Sequence, residues 1–244
     1  MKYVKIETTE NVGIATMNYR NENRLNPVFV DELLEALDEI EKNPEIRATV
    51  FTGGDPKFFC NGLDLEWIMA NVSDRDKIIG YFNKLGELTR RLCLFPKPTV
   101  AALNGHAFAG GVLVAAYFDF RHMREDRGWV CVPEIDLNLP LPPSMIAILQ
   151  AILPYRSFRD MYYLGKRYTG PEAVELGFVD GVFPAEELVA KSIELAAELG
   201  KKKTSTYEEY KKRIRMHIAY IIDEIDPKYH DQTIEFVMKS LQQA

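Results

Sequence analysis

The chain has 244 residues, 47% of them hydrophobic and 27% charged, with a net charge of −6. That length buries a sizeable core in one domain, or in one domain with an appendage. The negative balance, with no basic stripe interleaved with aromatics, argues against general nucleic-acid binding.

Three cysteines, Cys60, Cys93 and Cys131, lack metal-type spacing, and there are four scattered histidines. An odd count argues against a secreted disulfide frame, and no metal is expected. No apolar run reaches the about 20 residues that a bilayer span requires. The first residues read as a strand and not a signal peptide. Gln242-Gln243-Ala244 is not a peroxisomal address, so the expected compartment is the cytoplasm.

Residues 3–8 alternate and residues 12–18 form a second apolar strand after Glu10-Asn11, a hairpin signature. Pro27 suits the first helical position with Asn26 as cap. Val30, Leu33, Leu34, Leu37 and Ile40 then make residues 28–42 an amphipathic helix. Residues 48–52 are a short β-branched strand broken by Gly53-Gly54-Asp55-Pro56. Strand, strand, helix, strand already suggests a repeating ββα plan.

Next comes Phe58-Phe59-Cys60-Asn61-Gly62-Leu63-Asp64. Asn61-Gly62 is a turn signal that frees the Leu63 N–H, and Asp64 can cap the helix expected over residues 67–72. A longer helix is expected over residues 74–94. Pro96 and Pro98 then lead into the stretch that organises the chain, residues 97–119. Here the apolar strand Thr99-Val100-Ala101-Ala102-Leu103 is followed by Asn104-Gly105. Ala109-Gly110-Gly111 then opens a buried helix over residues 112–118. A helix start presents unpaired N–H groups, and glycine there leaves room for a ligand. Gly110 is therefore expected to offer its N–H to an oxygen that becomes negative during a reaction.

Residues 118–123 and 129–137 read as strands. Ser144 caps a helix over residues 145–153, and another covers residues 156–164. Thr169-Gly170-Pro171-Glu172 is a strong helix start, closed by Gly177 and followed by a strand over residues 178–183. From Pro184 the chain reads as helices over residues 185–199, 207–225 and 231–242. The composition shift there divides a core, residues 1–184, from a helical region, residues 185–244. Lys201-Lys202-Lys203 and Lys211-Lys212-Arg213 read as solvated helix ends.

Glu134 is the sharpest chemical candidate. Set among Val130, Val132, Ile135, Leu137 and Leu139, its carboxyl would be desolvated and its pKa raised toward a general acid/base range. A structural ion pair is the competing reading. Asp136, two residues on, would share its face on a strand, as a second catalytic carboxylate or as an anchor for the following loop. His106 reads mainly as packing. Cys60 has nothing beside it to lower its pKa.

Four motifs in order carry a family likeness: Phe59-Cys60-Asn61-Gly62-Leu63-Asp64-Leu65, the 97–119 stretch, Pro133-Glu134, and Thr169-Gly170 with Glu172-Ala173, Gly177 and Val179-Asp180. Over residues 1–190 the chain resembles the crotonase, or enoyl-CoA hydratase/isomerase, superfamily. Within it, Leu113 stands where hydratases carry one glutamate, while Glu134 matches the second. That pattern is similar to the Δ3,Δ2-enoyl-CoA isomerases. Asp126-Arg127-Gly128 with Glu134-Ile135-Asp136 looks like the plant peroxisomal members. Asn61 departs from the alanine that most members have.

The resemblance implies an α/β fold, a spiral of ββα units with a C-terminal helical region used for oligomer contacts, as a homotrimer or dimer of trimers. It implies an acyl-CoA substrate, with coenzyme A as part of that substrate and no other cofactor. Glu134 would move a proton between C2 and C4. The thioester enolate would sit between the N–H groups of Leu63 and Gly110, with Asp136 and Asn61 as accessory positions. Two alternatives stay open: hydration, dehydration or hydrolysis using Glu134 with Asp136, and a non-catalytic acyl-CoA-binding role.

Overall fold

Two sheets of unequal width grow out of one repeated unit. In the computed structural model, which describes residues 1–243, β1 (Val4–Thr9) and β2 (Val12–Met17) form the expected antiparallel hairpin. Glu10 and Asn11 take positive φ values of 47° and 63°, the two-residue turn geometry that matches the strand twist. Helix α1 (Pro27–Lys42) starts where Asn26 accepts from the Phe29 N–H at 3.1 Å.

A strand pair then recurs three times: β3 (Ala48–Gly53) with β4 (Phe58–Cys60), β5 (Thr99–Leu103) with β6 (His106–Phe108), and β7 (Phe120–Arg124) with β8 (Val130–Cys131). The first member of each pair enters a six-stranded sheet, ordered β1-β2-β3-β5-β7-β9 and completed by β9 (Gly181–Phe183). The second member enters a three-stranded sheet, ordered β4-β6-β8. All pairs after the hairpin are parallel. The expected ββα spiral is thus present, and a parallel sheet needs the covering helices that it has.

Those helices are α2 (Leu65–Asn71) and α3 (Arg75–Cys93) after the first pair, and α4 (Gly110–Ala116) after the second. After the third come α5 (Pro143–Ile152), α6 (Tyr155–Leu164) and α7 (Gly170–Leu176). Alternation along β5 sorts two cores. Ala101 and Leu103 join α1, α3 and α4, while Val100 and Ala102 pack with Leu188 and Ala196 of α8 (Leu188–Gly200) on the other face of the wide sheet.

The remaining chain is helical, as expected: α9 (Thr204–Tyr220), a π-turn at Ile221–Ile225, a 3₁₀ turn at Asp226–Tyr229 and α10 (His230–Gln243). Lys211 is not a solvated helix end. It is buried, with its Nζ 2.6 Å from Asp119 and Arg215 at 3.2 Å from the same carboxylate. The two cations hold that carboxyl below its usual range against the opposing effect of burial. They fasten α9 to the residues that follow α4.

Several local expectations are corrected. The strand expected over residues 129–137 is only Val130–Cys131, because Pro133 cannot donate to a ladder and its carbonyl accepts from Asp136 and Leu137 in a turn. Ser144 lies inside α5 and caps nothing; its side chain is turned to Asp226. The last strand is shortened to Gly181–Phe183. Strand β6 was not expected, since its three residues lie between two glycine signals and carry no periodicity.

Candidate active site

The three-stranded sheet places the site. Its strands run parallel, so the C-terminal ends of β4, β6 and β8 lie side by side, and a few residues past each end stand Leu63, Gly110 and Glu134. Repetition of the ββα unit therefore brings together three residues that are far apart in sequence. Ligands of parallel α/β sheets collect at such strand ends.

Gly62 makes the first turn. It has φ +79°, and a Cβ there would lie 3.0 Å from the Gly110 nitrogen. A side chain is thus excluded both by conformation and by the approach of the second loop. The turn is fixed to the chain before α1, where Leu25 N–H donates to the Gly62 carbonyl and Asp64 N–H to the Leu25 carbonyl, each at 2.8 Å. Asp64 caps α2 at the Trp67 N–H, 3.1 Å away.

In the second loop Ala109 carries a rare backbone conformation, φ 51° and ψ −126°. Its N–H donates to the Cys131 carbonyl at 2.9 Å, and its own carbonyl accepts from Val112 and Leu113. Strain of this kind costs about 1–3 kcal/mol and clusters at functional sites. Here it orients the peptide that carries the Gly110 N–H. A Cβ on Gly110 would lie 3.5 Å from the Leu63 nitrogen, so the two N–H groups are near neighbours. Neither has an acceptor among the described residues.

Both groups open into a cavity of about 590 Å³ that is also lined by Leu113 and Glu134. Glu134 is 7% exposed, and its Oε2 is buried without a hydrogen-bond partner. Burial pushes its carboxyl from 4.5 up to about 7. The cause differs in detail from the sequence expectation, because Ile135 and Leu137 are exposed. Val130 and Val132 are buried as expected, and Glu134 itself lines the cavity. Among the described residues no cation pairs with Glu134, which speaks against the ion-pair reading.

The other candidates fall into place around this centre. Asp136 is exposed in the turn after Pro133 and does not line the cavity, so the shared face expected of a strand is absent. Asn61 lines the cavity, with its side-chain amide donating to the Glu22 carboxylate at 3.2 Å. His106 packs between Phe58 and Trp129, with ring centroids 5.4 and 4.9 Å away. Burial pushes the Cys60 thiol up to about 12, which leaves it inert. Unexpected contributors are Ser144 and Asp226, buried polar residues on the same cavity wall. Nothing in their local sequence pattern marks them.

Comparison with known proteins shows the family. Residues 7–232 match the enoyl-CoA hydratase/isomerase family. The chain belongs to that family. It is 30% identical to enoyl-CoA delta isomerase 3 of Arabidopsis thaliana over 89% of this chain and 94% of that protein. It is 32% identical to the peroxisomal enoyl-CoA delta isomerase 2 of the same plant, over 82% and 86%. Among solved structures, human mitochondrial delta3-delta2-enoyl-CoA isomerase superposes with a TM-score of 0.92 at 24% identity, covering 99% of this chain and 96% of that one. The crotonase-type fold of this family member is therefore shared almost end to end. Among the described residues, no helix is long and apolar enough to cross a membrane.

Proposed function

We propose that the protein isomerises 3-enoyl-CoA to 2-enoyl-CoA with Glu134 as its single acid/base group. The observation that supports this most is the unpaired Oε2 of Glu134, in the same cavity as two N–H groups that lack acceptors. The delta isomerase names of the relatives point the same way.

In this reading the thioester carbonyl accepts from the N–H groups of Leu63 and Gly110. The Glu134 carboxylate removes a proton from C2, and the electron pair passes to the carbonyl oxygen to give an enolate. Those fixed donors match the new charge without reorganising, and one such donor is typically worth about 10²–10³ in rate. Glu134 is now neutral, the form that burial favours. It returns the proton to C4 as the enolate reverts to the thioester, and the double bond moves to C2–C3. Hydration would need a second group to activate water, and Leu113 cannot do so. With Asp136 outside the cavity, the two-carboxylate alternative loses its geometry.

The reading requires no cofactor beyond the coenzyme A that the substrate carries. It takes the protein to be cytoplasmic and to assemble as a homotrimer or a dimer of trimers. Exposed Tyr210, Ile214 and Tyr220 on α9, and Tyr155, Tyr163 and Leu164 on α6, supply apolar surface for such contacts. The deciding experiment uses 3-enoyl-CoA deuterated at C2. The expected product is 2-enoyl-CoA carrying part of that deuterium at C4. Formation of 3-hydroxyacyl-CoA instead, or tight coenzyme A thioester binding without turnover, would refute it.

A further inference from the structure

The cavity is not apolar throughout, and its polar end is out of place for a plain hydrocarbon chain. Its lining includes the apolar Leu63, Leu113, Leu139 and Met145, and a polar group, Thr89, Ser144, Asp226 and His230, where α3 meets the segment after α9. Asp226 is 8% exposed, Ser144 1% and Thr89 3%. Asp226 accepts from the Ser144 N–H at 3.0 Å and from the Ser144 hydroxyl.

Capping explains part of this arrangement. Ser144 N–H belongs to the first turn of α5, which has no side-chain cap of its own, and the Asp226 carboxyl supplies one from across the fold. That role uses two acceptor positions of a group that offers about four, and the residue still faces the cavity. The Tyr117 hydroxyl lies behind the same wall, buried beside Ser144 and Thr89 without a hydrogen bond of ordinary geometry. Asp226 also directly follows the π-turn, a backbone irregularity that recurs at functional sites.

We infer that this end of the cavity selects acyl chains carrying a hydroxyl group on their distal part, received by Asp226 beside Ser144. The inference rests on the acyl-CoA reading of the site. A methyl terminus pressed against Asp226 would strip water from a polar group and offer nothing in return. A site with such a group discriminates against the analogue that lacks the matching hydroxyl. Burial raises the Asp226 carboxyl above its usual range. A hydroxyl suits it in either state, donating to the carboxylate or accepting from the acid.

The test is calorimetric binding of saturated acyl-CoAs, which cannot react, in a chain-length series with and without a terminal hydroxyl. At the length that reaches Asp226 the hydroxyl is expected to tighten binding about tenfold or more. Asp226→Asn and Ser144→Ala should each cut that preference severalfold. No preference at any length, a preference that survives both variants, or tighter binding of the matching terminal amines would overturn the inference. The wild-type comparison stands even if a variant fails to fold. Turnover of plain 3-enoyl-CoA is measured separately, so isomerase activity without hydroxyl preference refutes only this inference.

Discussion

Replacing Glu134 by glutamine should make the protein both less active and more stable, and the two effects share one cause. The Glu134 carboxyl is raised from 4.5 to about 7 because burial disfavours its charge. The unfolded chain ionises near 4.5 and the native one near 7. Between these values the unfolded state has released a proton that the native state retains, so stability falls as pH rises. The cost is absent below about pH 4.5 and complete above about pH 7. At 1.36 kcal/mol per pH unit it reaches about 3 kcal/mol. Glutamine keeps the shape and carries no charge to bury. Its melting temperature should therefore exceed that of the parent by roughly 6 °C or more at pH 8, taking about 2–4 °C per kcal/mol for a chain of this size. The difference should shrink toward zero near pH 4.5.

Activity should move in the opposite direction. Removing the base is expected to lower kcat about 10²–10⁴-fold. In the parent, kcat/KM should fall about tenfold per pH unit below pH 7, since only the carboxylate can take the C2 proton. Differential scanning fluorimetry across pH, together with the absorbance of the conjugated product, measures both. Retained activity in Glu134→Gln would sink the mechanism. A melting difference independent of pH would refute the assignment of the cost to the buried charge.

Other perturbations separate the remaining parts of the site. Gly110→Ala puts a methyl group 3.5 Å from the Leu63 nitrogen, which should lower kcat about 10²-fold by crowding the enolate oxygen; a change under threefold would argue against that pair of donors. Asp136→Asn, at an exposed turn position, should leave kcat/KM within about twofold, and a loss near that of Glu134→Gln would restore the two-carboxylate alternative. Lys211→Met takes one of the two cations from the buried Asp119 carboxylate, leaving Arg215 and the Thr99 hydrogen bonds, and should destabilise the protein by about 3 kcal/mol in denaturant unfolding. A loss below 1 kcal/mol would show that Arg215 suffices.

The parts of the fold legible in the sequence are those set by local rules. Asn26-Pro27 starts α1, Glu10-Asn11 turns the hairpin, and Thr169 with Glu172 closes a capping box on α7. Burial could be read for Glu134 from its apolar setting and for Leu113 from its place in a buried helix. Other features depend on partners distant in the chain. Strand β6 is held by neighbours on both sides, β4 and β8, and has no pattern of its own. Lys211 looks like one of a run of helix-end cations until Asp119 is placed beside it. Ser144 resembles a cap until Asp226, 82 residues away, takes its hydroxyl. In the last two cases a polar side chain is settled by a contact that local spacing cannot encode.

The same distinction explains why the site is convincing as a unit. Leu63, Gly110 and Glu134 each occupy a loop after a strand of the small sheet, so one repeated backbone rule delivers two N–H groups and one carboxyl to the same cavity. In the proposed mechanism the N–H pair would act through the backbone, and side chains there would matter by being absent, at Gly62 and Gly110. The carboxyl would act through its surroundings, because what tunes Glu134 is lost water and no charged partner. A second acid at position 113 would face the same desolvation and would also interact with Glu134, displacing its ionisation from the range where one group can both take and return a proton. Leucine there therefore does more than fail to activate water. It leaves Glu134 without a second acid at that position and half-ionised near neutral pH, as the proposed one-base proton shuttle requires.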